Sequence, residues 1–78
     1  MIGGADYFER AFGSVTLRCD VVLSSAELFY SETGEVFAAY FGLDDLQSAI
    51  RAGRHSRDVL AALEHASEQI ATRIEAHP

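Results

Sequence analysis

The 78-residue chain is expected to be α+β: a three-stranded antiparallel β-meander packed by a long C-terminal helix, with short helices before and after the sheet. Three observations carry this expectation. From Ser56 to His77, apolar side chains recur at steps of three and four (Val59, Leu63, Ala66, Ile70, Ile74, with Leu60 beside them), so one stripe of a helix is apolar and its opposite side is charged. Ser14 to Leu23 alternates instead, with Val15, Leu17, Cys19, Val21 and Leu23 on one face and mostly polar residues on the other, the period of a half-buried strand. Between the apolar runs 27–31 and 35–41 stands Glu32-Thr33-Gly34, whose glycine suits the left-handed position of a short hairpin loop.

The remaining elements follow in chain order. Met1 to Gly4 is expected as a loose lead-in. Asp6 with Glu9 three positions later reads as an N-cap with a capping-box acid, and Gly13 suits the C′ position. Tyr7 to Phe12 is therefore expected as a short helix whose sticky side is Tyr7, Phe8, Ala11 and Phe12. Ser24, Ser25 and Ala26 form a bend after the first strand. The third strand is apolar on both faces, with Val36, Ala38 and Tyr40 on one and Phe37, Ala39 and Phe41 on the other. Either it is central and covered on both sides, or it lies at an edge and keeps a surface for a partner chain. After Gly42, Asp44 and Gln47 start a helix running to about Ala52, with Leu43, Leu46, Ala49 and Ile50 on its inner side and Gly53 as its stop. Ser56 caps the long helix, and Asp58 in its first turn favours the dipole. No repeat or linker divides the chain, so residues 1–78 are read as one domain.

Composition bounds the function. Apolar residues make up 49% of the chain, enough for a folded core. The single cysteine excludes an intrachain disulfide and a multi-thiolate zinc site and fits a reducing, cytoplasmic setting; no apolar run approaches the roughly 20 residues needed to cross a bilayer. The net charge is −6, and it is regional: residues 1–50 hold eight acids and two arginines, while the rest holds four of each sign. Direct nucleic-acid binding is disfavoured, since that affinity comes from Lys and Arg neutralising phosphates. Every base is arginine, and with twelve alanines and no lysine this reads as a GC-rich coding bias.

No arrangement of residues points to catalysis, a cofactor or a metal. His55, His65 and His77 lack ligand spacing, Cys19 falls on the inward face of a strand as a small core residue, and no glycine-rich loop is spaced to cradle phosphate. An enzyme is not expected. Two charged groups stand out. Arg51, Arg54 and Arg57 with His55 form a basic island, explained by dipole compensation at a helix C-terminus or by contact with an anion. Asp20, Glu27, Glu32, Glu35, Asp44 and Asp45 are read together as one exposed negative rim, either a solubilising guard over strand edges or a surface that meets a basic protein partner.

In size, acidity, lack of cysteine pairs and compact meander-plus-helix pattern, the chain resembles the small phage-encoded anti-CRISPR proteins, with those six carboxylates as the residues that carry the resemblance. The resemblance implies an inhibitor that occupies the basic nucleic-acid-binding surface of a CRISPR effector complex in the host cytoplasm. The alternative is a homodimeric structural or regulatory adaptor, and the two are separated by the position of the strand ending at Phe41: a central strand needs no twin, whereas an edge strand invites one.

Overall fold

The computed structural model describes residues 6–76, so the expected lead-in over Met1 to Gly4 and His77 at the end of the long helix lie outside the described residues. The chain is α+β: β1 (Tyr7–Phe12), β2 (Val15–Asp20), β3 (Ser25–Tyr30) and β4 (Val36–Phe41) precede α1 (Leu43–Ala52) and α2 (Arg57–Ala76). The strands form one antiparallel sheet in the order β1-β2-β3-β4. Both helices lie on the same side of it, α2 against β1, β2 and β3 and α1 beside β4.

The sheet has four strands because the segment expected as the first helix is β1. Phe8 and Phe12 stand four apart, an interval that shares a face in a helix and in a strand alike. A six-residue helix is marginal alone, whereas β2 pairs with the segment along its whole length, from Tyr7↔Asp20 to Phe12↔Val15. Gly13 (φ 64) does not end a helix; with Ser14 it makes a two-residue hairpin loop whose left-handed residue comes first, the type II′ arrangement that matches strand twist. Asp6 is likewise no cap. Its carboxylate pairs with Arg73 of α2 at 2.5 Å, and its carbonyl accepts the Val21 N–H at 3.0 Å.

β2 carries the expected alternation, with Val15, Leu17 and Cys19 buried. It ends at Asp20 rather than Leu23, because the Asp20 carboxylate accepts the N–H groups of Val22 and Leu23, both at 3.1 Å, and turns the chain. Val21 stays buried, but Leu23 is 73% exposed, which corrects its expected inward place. The turn spans Val21 to Ser24, with Ser24 at φ 57, and Ser25 and Ala26 already belong to β3. The β3–β4 hairpin turns through Gly34 (φ 78) as expected.

The core consists of Val15, Leu17, Cys19 and Val21 from β2 and its turn, Ala26 and Leu28 from β3, Leu46 from α1, and Ala62, Leu63, Ala66 and Ile70 from α2. Small residues at 62 and 66 let α2 approach the sheet closely while Leu63 and Ile70 fill the space beside them. Val59 packs at the margin, whereas Ile74, expected in the stripe, is 47% exposed. The inner side of α1 is as expected, with Leu46 buried and Leu43, Ala49 and Ile50 against the core. Ser56 Oγ accepts the Val59 N–H (3.3 Å) and caps α2. Asp58 does more than balance the dipole: its Oδ2 accepts both the N–H and the hydroxyl of Ser14, each at 3.0 Å, and fixes the start of α2 to the β1–β2 loop.

Candidate interaction surface

With the helices on one side, the other face of the sheet is left without a covering element among the described residues. Antiparallel partners share a face, so the register lays three rows across it: Tyr7, Asp20, Ser25 and Phe41; Glu9, Arg18, Glu27 and Ala39; Ala11, Thr16, Phe29 and Val36. At the centre Arg18 reaches Glu9 at 2.8 Å and Glu27 at 3.2 Å and lies over the Phe29 ring at 4.9 Å. The hydrogen bond to Glu9, more than any other influence, raises the Arg18 pKa above its ordinary value. This clasp joins three strands, and it was not anticipated from sequence, because neither carboxylate is near Arg18 until the register is known.

The six carboxylates expected to form one rim do not form one. Asp20 sits at the end of β2, and Asp44 and Asp45 start α1 next to the end of β4; these three share the end of the sheet where Ser25 pairs with Phe41. Glu32 and Glu35 belong to the β3–β4 hairpin at the opposite end, one six-residue strand away, roughly 20 Å. Glu27 lies between and is held by Arg18. Three of the six also have structural work: Asp20 turns the chain, Glu27 completes the clasp, and Asp45 accepts the Phe41 N–H at 3.0 Å and ties the end of β4 to the first turn of α1. The expected pairing of Asp44 with Gln47 at that start is therefore replaced by Asp45 reaching back. Glu32, Glu35 and Asp44 are exposed and form no ion pair among the described residues.

The strand with two apolar faces, β4, is an edge strand. Tyr40 and Ala38 face the helices half-buried, while Phe41 is 76% and Val36 46% exposed. Pairing with β3 skips Phe37, so a bulge separates Val36 from the regular stretch 38–41 and turns Phe37 onto Tyr30, with ring centroids 4.4 Å apart. None of its six residues is charged, whereas β1 at the other edge carries Glu9 and Arg10.

The other sequence candidates have local explanations. At the C-terminal end of α1, His55 Nε2 meets the Ala49 carbonyl at 2.7 Å, and Arg51, in the last turn, donates to Ser48 Oγ at 3.4 Å. His65 lies edge-on to Phe8 (centroids 5.5 Å) and tilted against Phe12 (5.6 Å); burial first and the nearby Arg10 second lower its pKa, so the ring there is neutral at pH 7. Cys19 is fully buried, and loss of solvent pushes its thiol up to about 11, which removes its nucleophilic form. Among the described residues no group of three or more His, Cys, Asp or Glu side chains could hold a metal ion. An open hollow of about 490 Å³ between α1 and α2 is lined by Gln47, Ile50, Arg51, Glu64, Ser67 and Glu68, a mixed surface without converging nucleophile and base. No helix among the described residues is long and apolar enough to cross a membrane. Comparison with family models, with curated proteins and with solved structures gives no match to this chain.

Proposed function

We propose that this chain is a non-enzymatic structural or regulatory adaptor that binds protein by adding an extended strand to the β4 edge. The observation that carries this reading is the uncharged edge of β4, without a strand partner among the described residues, in a protein whose other edge is charged. An edge strand offers a row of unpaired N–H and C=O groups, and sheets that are not meant to be extended guard that row with charge, proline or short length. β4 has neither charge nor proline over 36–41; the bulge at Phe37 and the Asp45 carboxylate on the Phe41 N–H occupy its two ends, and the stretch 38–40 between them is regular. Strand addition draws affinity from main-chain hydrogen bonds and specificity from alternate side chains, here Ala39 and Phe41 on the open face. A labelled peptide copying residues 36–41 is the direct probe: fluorescence anisotropy should rise on adding the protein, and the rise should be lost with Phe41→Lys. Equal binding by a scrambled peptide would refute strand addition.

A second reading is supported by Glu32, Glu35 and Asp44, exposed carboxylates in a protein of net charge −6. In it the chain is an acidic inhibitor that covers the basic surface of a nucleic-acid-handling complex, of which a CRISPR effector is one, as the resemblance to anti-CRISPR proteins implies. The contact then uses two separate acidic ends rather than a rim. Binding to purified effector complexes should weaken with salt and fall at least about tenfold in the variant Glu32→Lys/Glu35→Lys/Asp44→Lys. Inhibition unchanged by a variant that melts like the wild type would reject this mechanism.

A further inference from the structure

We infer that the strand added at β4 is β4 of a second copy of this chain, joined antiparallel about a two-fold axis at Ala39. The inference rests on the strand-addition reading above and names the partner. Its first support is the contrast between the edges. A contact of β4 with β1 of the next molecule is heterologous and would continue into an open filament, but β1 guards itself with Glu9 and Arg10. A contact of β4 with β4 is isologous, closes at two copies, and brings together two strands that carry no charge, in a protein whose net charge of −6 otherwise makes copies repel.

Its second support is the register. Side chains alternate between faces, so the sheet continues with both pairs of helices on one side only if paired residues have the same parity. Centring on Ala39 satisfies this. The exposed alanine then meets its twin on the open face with no bulk to hold the backbones apart, and half-buried Tyr40 and Ala38 oppose each other, large against small, on the helix side. Phe41, the most exposed large apolar side chain among the described residues, stays on the open face beside the axis, while Phe37 remains stacked on Tyr30 of its own copy. Centring on Tyr40 instead would stack two tyrosines and shorten the overlap. The product is an eight-stranded sheet with four helices on one side.

This register also brings Glu35 of each copy next to the α1 start of the other, where Asp44 and Asp45 stand. Like charges therefore meet at both ends of the contact, and screening relieves them. The dimer should tighten with added salt, opposite to an acid-mediated contact with a basic partner.

The test is sedimentation velocity and native mass spectrometry on the whole chain with variants at the two-fold axis. Wild type should dimerise, and more tightly at about 0.5 M than at about 0.05 M salt. Ala39→Glu and Ala39→Lys each place like charges opposite one another on the axis and should weaken the dimer by about tenfold or more. Mixing the two variants should restore a one-to-one heterodimer. A wild-type chain that stays monomeric overturns the second copy as partner, yet leaves strand addition standing if the 36–41 peptide binds. A wild-type dimer indifferent to Ala39→Glu and Ala39→Lys overturns the pairing about Ala39. Loss of both dimer and peptide binding removes the parent reading as well.

Discussion

Replacing Leu63 by alanine should cost about 2–5 kcal/mol, a large share of the roughly 4–12 kcal/mol that a chain of this length has available. Leu63 is fully buried in the middle of α2, with Ala62 and Ala66 beside it and the β2 and β3 side chains beneath. The alanines next to it have no spare atoms to move into the space, so a cavity persists and the upper half of the range is expected. At a urea dependence of about 1 kcal/mol/M, a loss of about 4 kcal/mol shifts the unfolding midpoint by about 4 M. Ile74→Ala, half exposed near the end of α2, should shift it by less than about 0.5 M. Equal shifts for the two would mean that α2 does not dock along the stripe described.

Gly13→Ala is expected to cost about 2–3 kcal/mol, from two causes that can be separated. The first is backbone: φ 64 is a left-handed conformation that a Cβ penalises by about 1 kcal/mol. The second is space. A Cβ at Gly13 would lie 2.7 Å from Asp58 Cγ, and that carboxylate is held by the N–H and hydroxyl of Ser14 and cannot withdraw without breaking both bonds. Gly34 is the control, since it has φ 78 and nothing within 4 Å of the position its Cβ would take. Thermal melts should therefore show Gly34→Ala losing only the backbone part, and Gly13→Ala losing about twice as much. In an Asp58→Ala background the excess should vanish. If Gly13→Ala and Gly34→Ala cost the same, the tie between the first hairpin and α2 is looser than its geometry implies.

The α2 stripe, the alternation of β2 and the Gly34 hairpin are legible in the sequence because each is a local period or a local backbone requirement. β1 was not, although its signal is present. Phe8 and Phe12 fit both periods, and Asp6, Glu9 and Gly13 satisfy the helix-end pattern as well as Gly13-Ser14 satisfies a hairpin turn. What decides between them is β2, which offers six partners to a segment too short to be a helix by itself. The interaction surface was less legible still. That β4 bears two apolar faces is plain from its letters, but whether it is central or at an edge depends on whether the strands are laid down in chain order. The acid set failed as a single rim for a related reason: Asp20 and Glu32 fall at opposite ends of a sheet whose strands reverse direction at each turn, and Glu27 meets Arg18 only across a ladder.

The sheet is wound in chain order, yet four of its core side chains, Ala62, Leu63, Ala66 and Ile70, come from the element that follows all the others. On a ribosome, the strands thus emerge with their inner side bare, and of the described elements only α1, through Leu46, can shelter part of it before α2 is made. The hairpins can close early, but most of the cover arrives only when α2 leaves the exit tunnel. Until then the nascent chain is a sheet with a sticky underside, the stage at which this small protein has most need of a chaperone.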